Sequence, residues 1–413
     1  MIKNVLLSVV SVLLTLSLME ITVRVLEDEG QFQGTYLELE MDPISKEEVA
    51  THYLIEDRKR GWVIRPDAET KPVNNPGNYT FRYRSNGDGF RDDRNYSRTP
   101  EKFRIALFGD SFVHADEVNF EDTWGQLIER DQFEGVEVLN FGVPGYGTDQ
   151  SLLHYRELGK TFNPHIVLIG YQFENIGRNV NLLRKMYYQN SKIPFSKPRF
   201  VLEGESLRLV NYPTTPYEEL RGYKGQFGKW PYSRFDYYYN PWVHNDWSSD
   251  RLHLLRWVKS GLVNRFDFYE KKRDYPVLYT RGSEPYRTSL AVIRKFYEEV
   301  KQNGSEPVVV IFPDANYLYL YVDNQRFFMK FLDSLDKMGI RYLDCTQRFF
   351  YLRELYWDPI HIFWAGVGHL TPRANIVVAQ QVSRYLDENV LPKMKTVLQR
   401  FPNVQMREFE DLE

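Results

Sequence analysis

The sequence predicts an α/β domain organised on a mostly parallel five-stranded sheet with helices on both faces. Short apolar runs rich in Val, Ile and Phe alternate along the chain with stretches of helical spacing, the pattern of successive βα units. Most of these runs are apolar throughout rather than at every second position, as expected of strands covered on both sides.

The first run, Phe103 to Phe108, turns through Gly109 and Asp110 onto Ser111. A strand that ends this way delivers a hydroxyl to the carboxyl edge of the sheet, where open α/β folds place their chemistry. Gly109 is expected to let the backbone turn sharply. Glu121 to Arg130 reads as a helix, Val136 to Phe141 as strand two, and Gln150 to Lys160 as a helix. His165 to Gly170 is strand three, Ser289 to Gln302 a helix, and Pro307 to Phe312 strand four. Arg326 to Met338 reads as a helix and Ile340 to Leu343 as strand five. The last helix, Pro372 to Leu386, has Thr371 as its N-cap and proline at its first position. Between strands three and four, Gly177 to Thr288 is rich in Tyr, Pro, Arg and Trp. A connection of that length has a structure or a task of its own. It reads as a partly helical insertion over the carboxyl edge of the sheet, shaping a cleft or serving as a packing or partner surface.

Composition narrows the function. Of 413 residues 26% are charged and the net charge is -3, so nothing points to nucleic acid. Cys345 is the single cysteine, which excludes an internal disulfide and a cysteine-built metal site. His52, His114, His154, His165, His244 and His253 lack metal-ligand spacing, so no metal is expected; His114, close after Ser111, reads as a cleft-lining or a surface residue. Asn4 to Met19 carries no charge, and Ala50 is the first alanine, so a small-residue cleavage site of the usual kind is missing. Residues 1 to 30 are therefore read as an uncleaved signal anchor with Lys3 inside and the body exported, a cleaved signal peptide and secretion being the alternative. Residues 31 to 100 read as a stalk and a small β-rich collar, in which the alternating Tyr79 to Asn86 forms a strand before an Asn-Gly turn. Residues 101 to 390 form the main domain and 391 to 413 a C-terminal tail.

Three further stretches leave the same sheet edge. Asn140 to Gln150 is a glycine-rich loop opening a helix, where backbone N–H groups approach a ligand closely. It lacks the Lys-Ser/Thr of a phosphate-binding loop, so a nucleotide is not expected. Gly170 to Asn175 ends in an amide that can donate into a cleft, and Gly368-His369-Leu370-Thr371-Pro372 precedes the last helix. A serine, a glycine, an asparagine and a late histidine, in that order on a βα scaffold, resemble the SGNH hydrolase family, also called GDSL-like esterases and lipases. The resemblance makes Ser111, in Gly109-Asp110-Ser111-Phe112, the nucleophile. It makes Gly145, five residues after Asn140, and Asn175 the oxyanion-hole donors, and His369 the general base. It spans Arg104 to Leu386 apart from the insertion. Gly-Tyr-Gly-Thr-Asp-Gln at Gly145 to Gln150 is similar to membrane-anchored bacterial members with a like collar. What it implies is a flavodoxin-like three-layer α/β/α sandwich of the SGNH type, no cofactor, and an acyl ester as substrate.

The family usually places an aspartate three residues before its histidine, a position held here by Gly366. The nearest acid is Asp358, which has Asp-x-x-His spacing to His361. Three arrangements stay open: Asp358 reaching His369 across a local insertion, His361 as the base, or a Ser–His pair with no acid. The expected function is that of an exported, membrane-anchored serine esterase or O-acyltransferase, in the periplasm or at the cell surface, acting on O-acyl groups of envelope carbohydrate. The alternative, kept open by Gly366, is a non-catalytic module of the same fold that binds glycan or scaffolds an envelope complex.

Overall fold

The computed structural model describes residues 2–28, 53–74, 79–188, 191–245, 247–265, 272, 274–315, 326–365 and 368–408. The stretch read as a stalk therefore lies mostly outside the described residues. The chain opens with α1 (Ile2–Asp28), a helix long and apolar enough to cross a membrane. A hairpin follows, Leu54–Asp57 against Gly61–Ile64. The strand expected over Tyr79 to Asn86 is broken: Thr80–Phe81 pairs with Val73–Asn74, and Arg84 makes an isolated antiparallel bridge with Glu69. The rest of it is irregular because its tyrosines are engaged elsewhere. The Tyr79 hydroxyl donates to Asp122, and the Tyr83 hydroxyl accepts from the Glu117 N–H at 2.9 Å.

The body alternates strands and helices. In chain order these are β1 (Phe103–Phe108), α2 (Ser111–His114), β2 (Val136–Asn140), α3 (Thr148–Glu157), β3 (Ile166–Tyr171) and α4 (Asn175–Arg178). Then come α5 (His253–Arg265), α6 (Glu284–Gln302), β4 (Glu306–Ile311), α7 (Arg326–Lys337), β5 (Tyr342–Asp344) and α8 (Pro372–Asn389). The five strands form one sheet in the order β2-β1-β3-β4-β5, every adjacent pair parallel. The order reverses between β1 and β3. At such a switch point the connections leave in opposite directions and open a crevice at the carboxyl ends of the two strands.

Strand residues sort by parity onto two apolar layers. Ile105, Leu107, Leu168, Val308 and Val310 pack with Val377, Val378 and Val382 of α8. Ala106, Phe108, Ile169, Val309 and Ile311 pack with Leu152 of α3, Ile293 and Phe296 of α6, and Phe331 of α7. Burial on both faces is why the runs are apolar throughout.

The helix expected over Glu121 to Arg130 is instead a 3-10 turn at Phe120–Asp122, a short α-helix at Trp124–Leu127 and a π-turn at Ile128–Gln132. Thr123 starts the α-helical part by accepting from the Gln126 N–H at 3.3 Å, which leaves the acidic pair Glu121-Asp122 outside it. The connection between β3 and β4 is partly helical and also contains a hairpin, Arg199–Glu203 against Ser206–Val210. The segment read as a tail returns to the body, where Gln405–Met406 pairs antiparallel with Phe133–Glu134.

Candidate active site

Ser111 is the first residue of α2, which starts where β1 ends. Asp110 caps that helix, its carboxylate accepting from the Phe112 N–H at 2.9 Å. The expected reason for Gly109 was a sharp turn. The structure gives another: a Cβ there would lie 2.3 Å from Val113 Cγ2, and one at Gly170 2.2 Å from the same atom. Both glycines make room for Val113 to pack over the switch point. Gly142 is equally constrained, since a Cβ would meet the His114 nitrogen at 2.3 Å. The glycine loop after β2 thus rests directly on the backbone of α2, and Val143 donates to Gly109 O at 3.1 Å.

Gly145 has φ +81, a left-handed conformation that favours glycine. Its carbonyl accepts from Arg184 Nη1 at 3.1 Å. Asn175 opens α4 beyond β3, where its Nδ2 donates to Asp110 Oδ2 at 2.7 Å and its Oδ1 accepts from Thr148 Oγ1 at 3.3 Å. Arg178 Nη1 reaches the same Asp110 oxygen at 2.7 Å and also pairs with Glu174. Asp110 therefore ties the serine turn to the loop that carries Asn175. Among the described residues no acceptor takes the N–H of Ser111, the N–H of Gly145 or the second amide hydrogen of Asn175. An acyl oxyanion is stabilised by N–H donors of this kind.

His369 follows Gly368, which has φ +99, and its carbonyl accepts from the Ala365 N–H at 2.7 Å. Its ring lies 5.5 Å, centre to centre, from that of Phe112, the residue next to Ser111. Asp358 is not its partner. Asp358 caps the short helix Pro359–Phe363 and holds His361 Nδ1 at 2.9 Å. The Asp-x-x-His spacing is therefore a helix cap on the surface, with the His361 side chain 85% exposed. The carboxylate on His369 belongs to Glu117, whose Oε2 lies 3.1 Å from Nδ1 and 3.4 Å from the backbone nitrogen of the same histidine. With the Nδ1 proton given to Glu117, Nε2 is left as an acceptor. Burial by itself lowers the His369 pKa, but the bond to Glu117 and the charges of Asp116, Glu117 and Asp110 outweigh it and raise it above its ordinary value.

Glu117 was not among the residues singled out from sequence, and its position depends on a strained loop. Ala115 and Glu117 have φ +58 and +67, left-handed without being glycine. A fully buried guanidinium holds this loop, with Arg91 donating to the carbonyls of His114, Ala115 and Val118. Beneath it His114 bonds Asp116 through Nδ1 and the Tyr53 hydroxyl through Nε2, the latter at 2.9 Å. His114, read as a cleft or surface residue, is fully buried instead. Burial pushes its imidazole down to about 4 despite Asp116, which keeps it neutral and structural. The short elements that precede β1 thus supply Tyr53, Tyr83 and Arg91 as braces for the loop that carries the acid.

No protein-family model matches the chain, and no curated protein matches it. Solved structures do. One is a protein of Desulfitobacterium hafniense DCB-2 described as lipolytic and of the G-D-S-L family, 11% identical over 68% of this chain and 98% of that one, with a TM-score of 0.33. Another is a G-D-S-L family lipolytic protein of Veillonella parvula DSM 2008, 9% identical over 69% and 98% of the two chains, with a TM-score of 0.34. A third is a lipase/acylhydrolase of Enterococcus faecalis, 12% identical over 68% and 94%, TM-score 0.34.

Proposed function

We propose that the protein is a membrane-anchored serine enzyme that works on ester bonds outside the cytoplasm through an acyl-serine intermediate. The observation that carries this reading is His369 held by Glu117 beside the Ser111 turn, with three N–H groups, on Ser111, Gly145 and Asn175, that have no acceptor among the described residues. Glu117 also weakens the case for a non-catalytic module, which rested on the missing acid at position 366.

In this reading Ser111 Oγ attacks the ester carbonyl while His369 Nε2 takes its proton. The carbonyl oxygen becomes an oxyanion met by the N–H groups of Ser111 and Gly145 and by Asn175 Nδ2. Collapse breaks the bond to the leaving alkoxide, which takes the proton from His369, and leaves the acyl group on Ser111. Water or a second hydroxyl then attacks, with His369 again as base, so the same site serves a hydrolase or a transferase. O-acyl groups of envelope carbohydrate are the substrate class, supported by the apolar α1 and by the tyrosine-rich connection between β3 and β4.

The test is covalent. The full chain in detergent is treated with a fluorophosphonate, digested and analysed by mass spectrometry. An adduct on the peptide that contains Ser111 is expected. A folded sample that takes no adduct there rules the proposal out. Asn175→Ala is expected to lower kcat for p-nitrophenyl acetate by about 10²–10³-fold, with a smaller change in KM. An unchanged kcat would remove Asn175 from the oxyanion site.

A further inference from the structure

The long connection between β3 and β4 carries an exposed apolar surface that the proposed chemistry does not use. On α5, Leu255, Val258 and Leu262 follow one another at helical spacing and are 42%, 42% and 43% exposed. Leu252 just before the helix and Trp257 on it are exposed at 48% and 40%. Next to them the Trp242 and Trp247 rings pack at a tilt with centres 4.7 Å apart, each more than 40% exposed. The Lys259 ammonium lies 5.1 Å from the centre of the Trp247 ring.

This surface is joined to the anchor. The Glu20 carboxylate of α1 accepts from the His253 and Leu254 N–H groups at 2.9 and 2.7 Å, so a side chain of α1 caps the first turn of α5. Arg24, one turn on, bonds the same carboxylate at 2.8 Å. Depth follows from helix geometry: Glu20 lies about 26 Å along the axis from Lys3 at 1.5 Å per residue. A bilayer's hydrocarbon core is about 30 Å thick. If Lys3 marks the inner boundary of that core, Glu20 and the start of α5 stand at its outer edge. Exposed tryptophan and leucine on a helix at that level match the composition of interfacial elements.

We propose that α5 and the Trp242–Trp247 corner lie in the headgroup region of the same bilayer that holds α1, as a second membrane contact. The occupant of this surface is lipid. The inference rests on the reading of α1 as a spanning anchor. It holds the face of the body that carries α5 against the membrane.

Tryptophan fluorescence tests it on the unmodified chain, because α1 contains no tryptophan. The full chain is reconstituted into vesicles of phospholipid with brominated acyl chains and, in parallel, of unbrominated phospholipid. The bromines are expected to quench the share of emission carried by Trp242, Trp247 and Trp257. That quenching is expected to vanish in a Trp242→Phe/Trp247→Phe/Trp257→Phe variant. Retention through an alkaline carbonate wash reports α1 separately. Retention without quenching overturns the second contact and leaves the anchor standing. Quenching that persists in the triple variant also overturns it, and loss of the chain in carbonate overturns the anchor and this inference together.

Discussion

Replacing Glu117 by glutamine is expected to lower kcat by roughly 10³–10⁴-fold while KM changes little, by analogy with amide substitution of the acid in serine-enzyme triads. The two side chains have the same shape, so the 3.1 Å approach to His369 Nδ1 survives. Their chemistry differs. A carboxylate accepts from Nδ1 and leaves Nε2 free for the serine proton, whereas an amide can donate to Nδ1 and move the ring proton to Nε2. The imidazolium formed during attack also loses its counter-charge. The pH profile carries the same signature. The base acts when neutral, and the His369 pKa is raised, so the acid limb of kcat/KM in the wild type lies above the ordinary imidazole range. Glutamine removes both raising effects of Glu117 and leaves those of Asp116 and Asp110, so the limb moves to lower pH. Asp358→Asn, which touches only the exposed His361 pair, is expected to leave kcat and the limb unchanged. Stopped-flow and steady-state hydrolysis of p-nitrophenyl acetate across pH decides the matter. A Glu117→Gln enzyme with wild-type kcat would show that Glu117 does not orient the base.

Arg91→Met is expected to cost on the order of 3 kcal/mol of stability, because it leaves three buried carbonyls without donors and each such group costs about 1–3 kcal/mol. Methionine fills much of the same volume, so the loss is not chiefly one of packing. The carbonyls of His114, Ala115 and Val118 flank the two left-handed residues, and a left-handed non-glycine residue costs roughly 1–2 kcal/mol. Without the guanidinium the loop relaxes and Glu117 withdraws from His369. Activity therefore falls along with stability. Arg91→Lys is expected to recover only part of both, since an ammonium is a compact charge that cannot copy a planar fork. Urea melts paired with kcat measured well below the unfolding midpoint separate the two effects. Full activity in a destabilised Arg91→Met protein would mean that the Tyr83 hydroxyl on the Glu117 N–H is sufficient to hold the loop.

The sheet was legible because burial on both faces writes itself into unbroken apolar runs. Phe103–Phe108 matches its expected bounds. The edge strand shifted from Ile340–Leu343 to Tyr342–Asp344. Gly339 with φ +65 ends α7, and Ile340 still donates back to Leu335 O at 3.0 Å. The hairpin Arg199–Val210 had a signal, Gly204 with φ +62 between two alternating runs, but it was hidden in a stretch dominated by aromatic residues. Ser111, Gly145, Asn175 and His369 stood out as candidates because each lies near a glycine, a proline or a strand end. Glu117 could not be found in the same way. It reaches the histidine through a reversal made by Ala115 and Glu117, and such a turn carries no glycine to mark it. It also precedes the histidine by most of the domain, where spacing rules look only a few residues back.

Ser111 and Glu117 lie on one braced loop, clamped at one end by Asp110 on Asn175 and Arg178 and at the other by Arg91. The proposed nucleophile and acid thus share one braced support. His369 alone arrives from elsewhere in the chain, on the turn closed by the bond from Ala365 to His369 O. Mechanically the assembly has one joint. Motion of that turn that opens the Glu117–His369 contact also shifts the imidazole relative to the Ser111 turn.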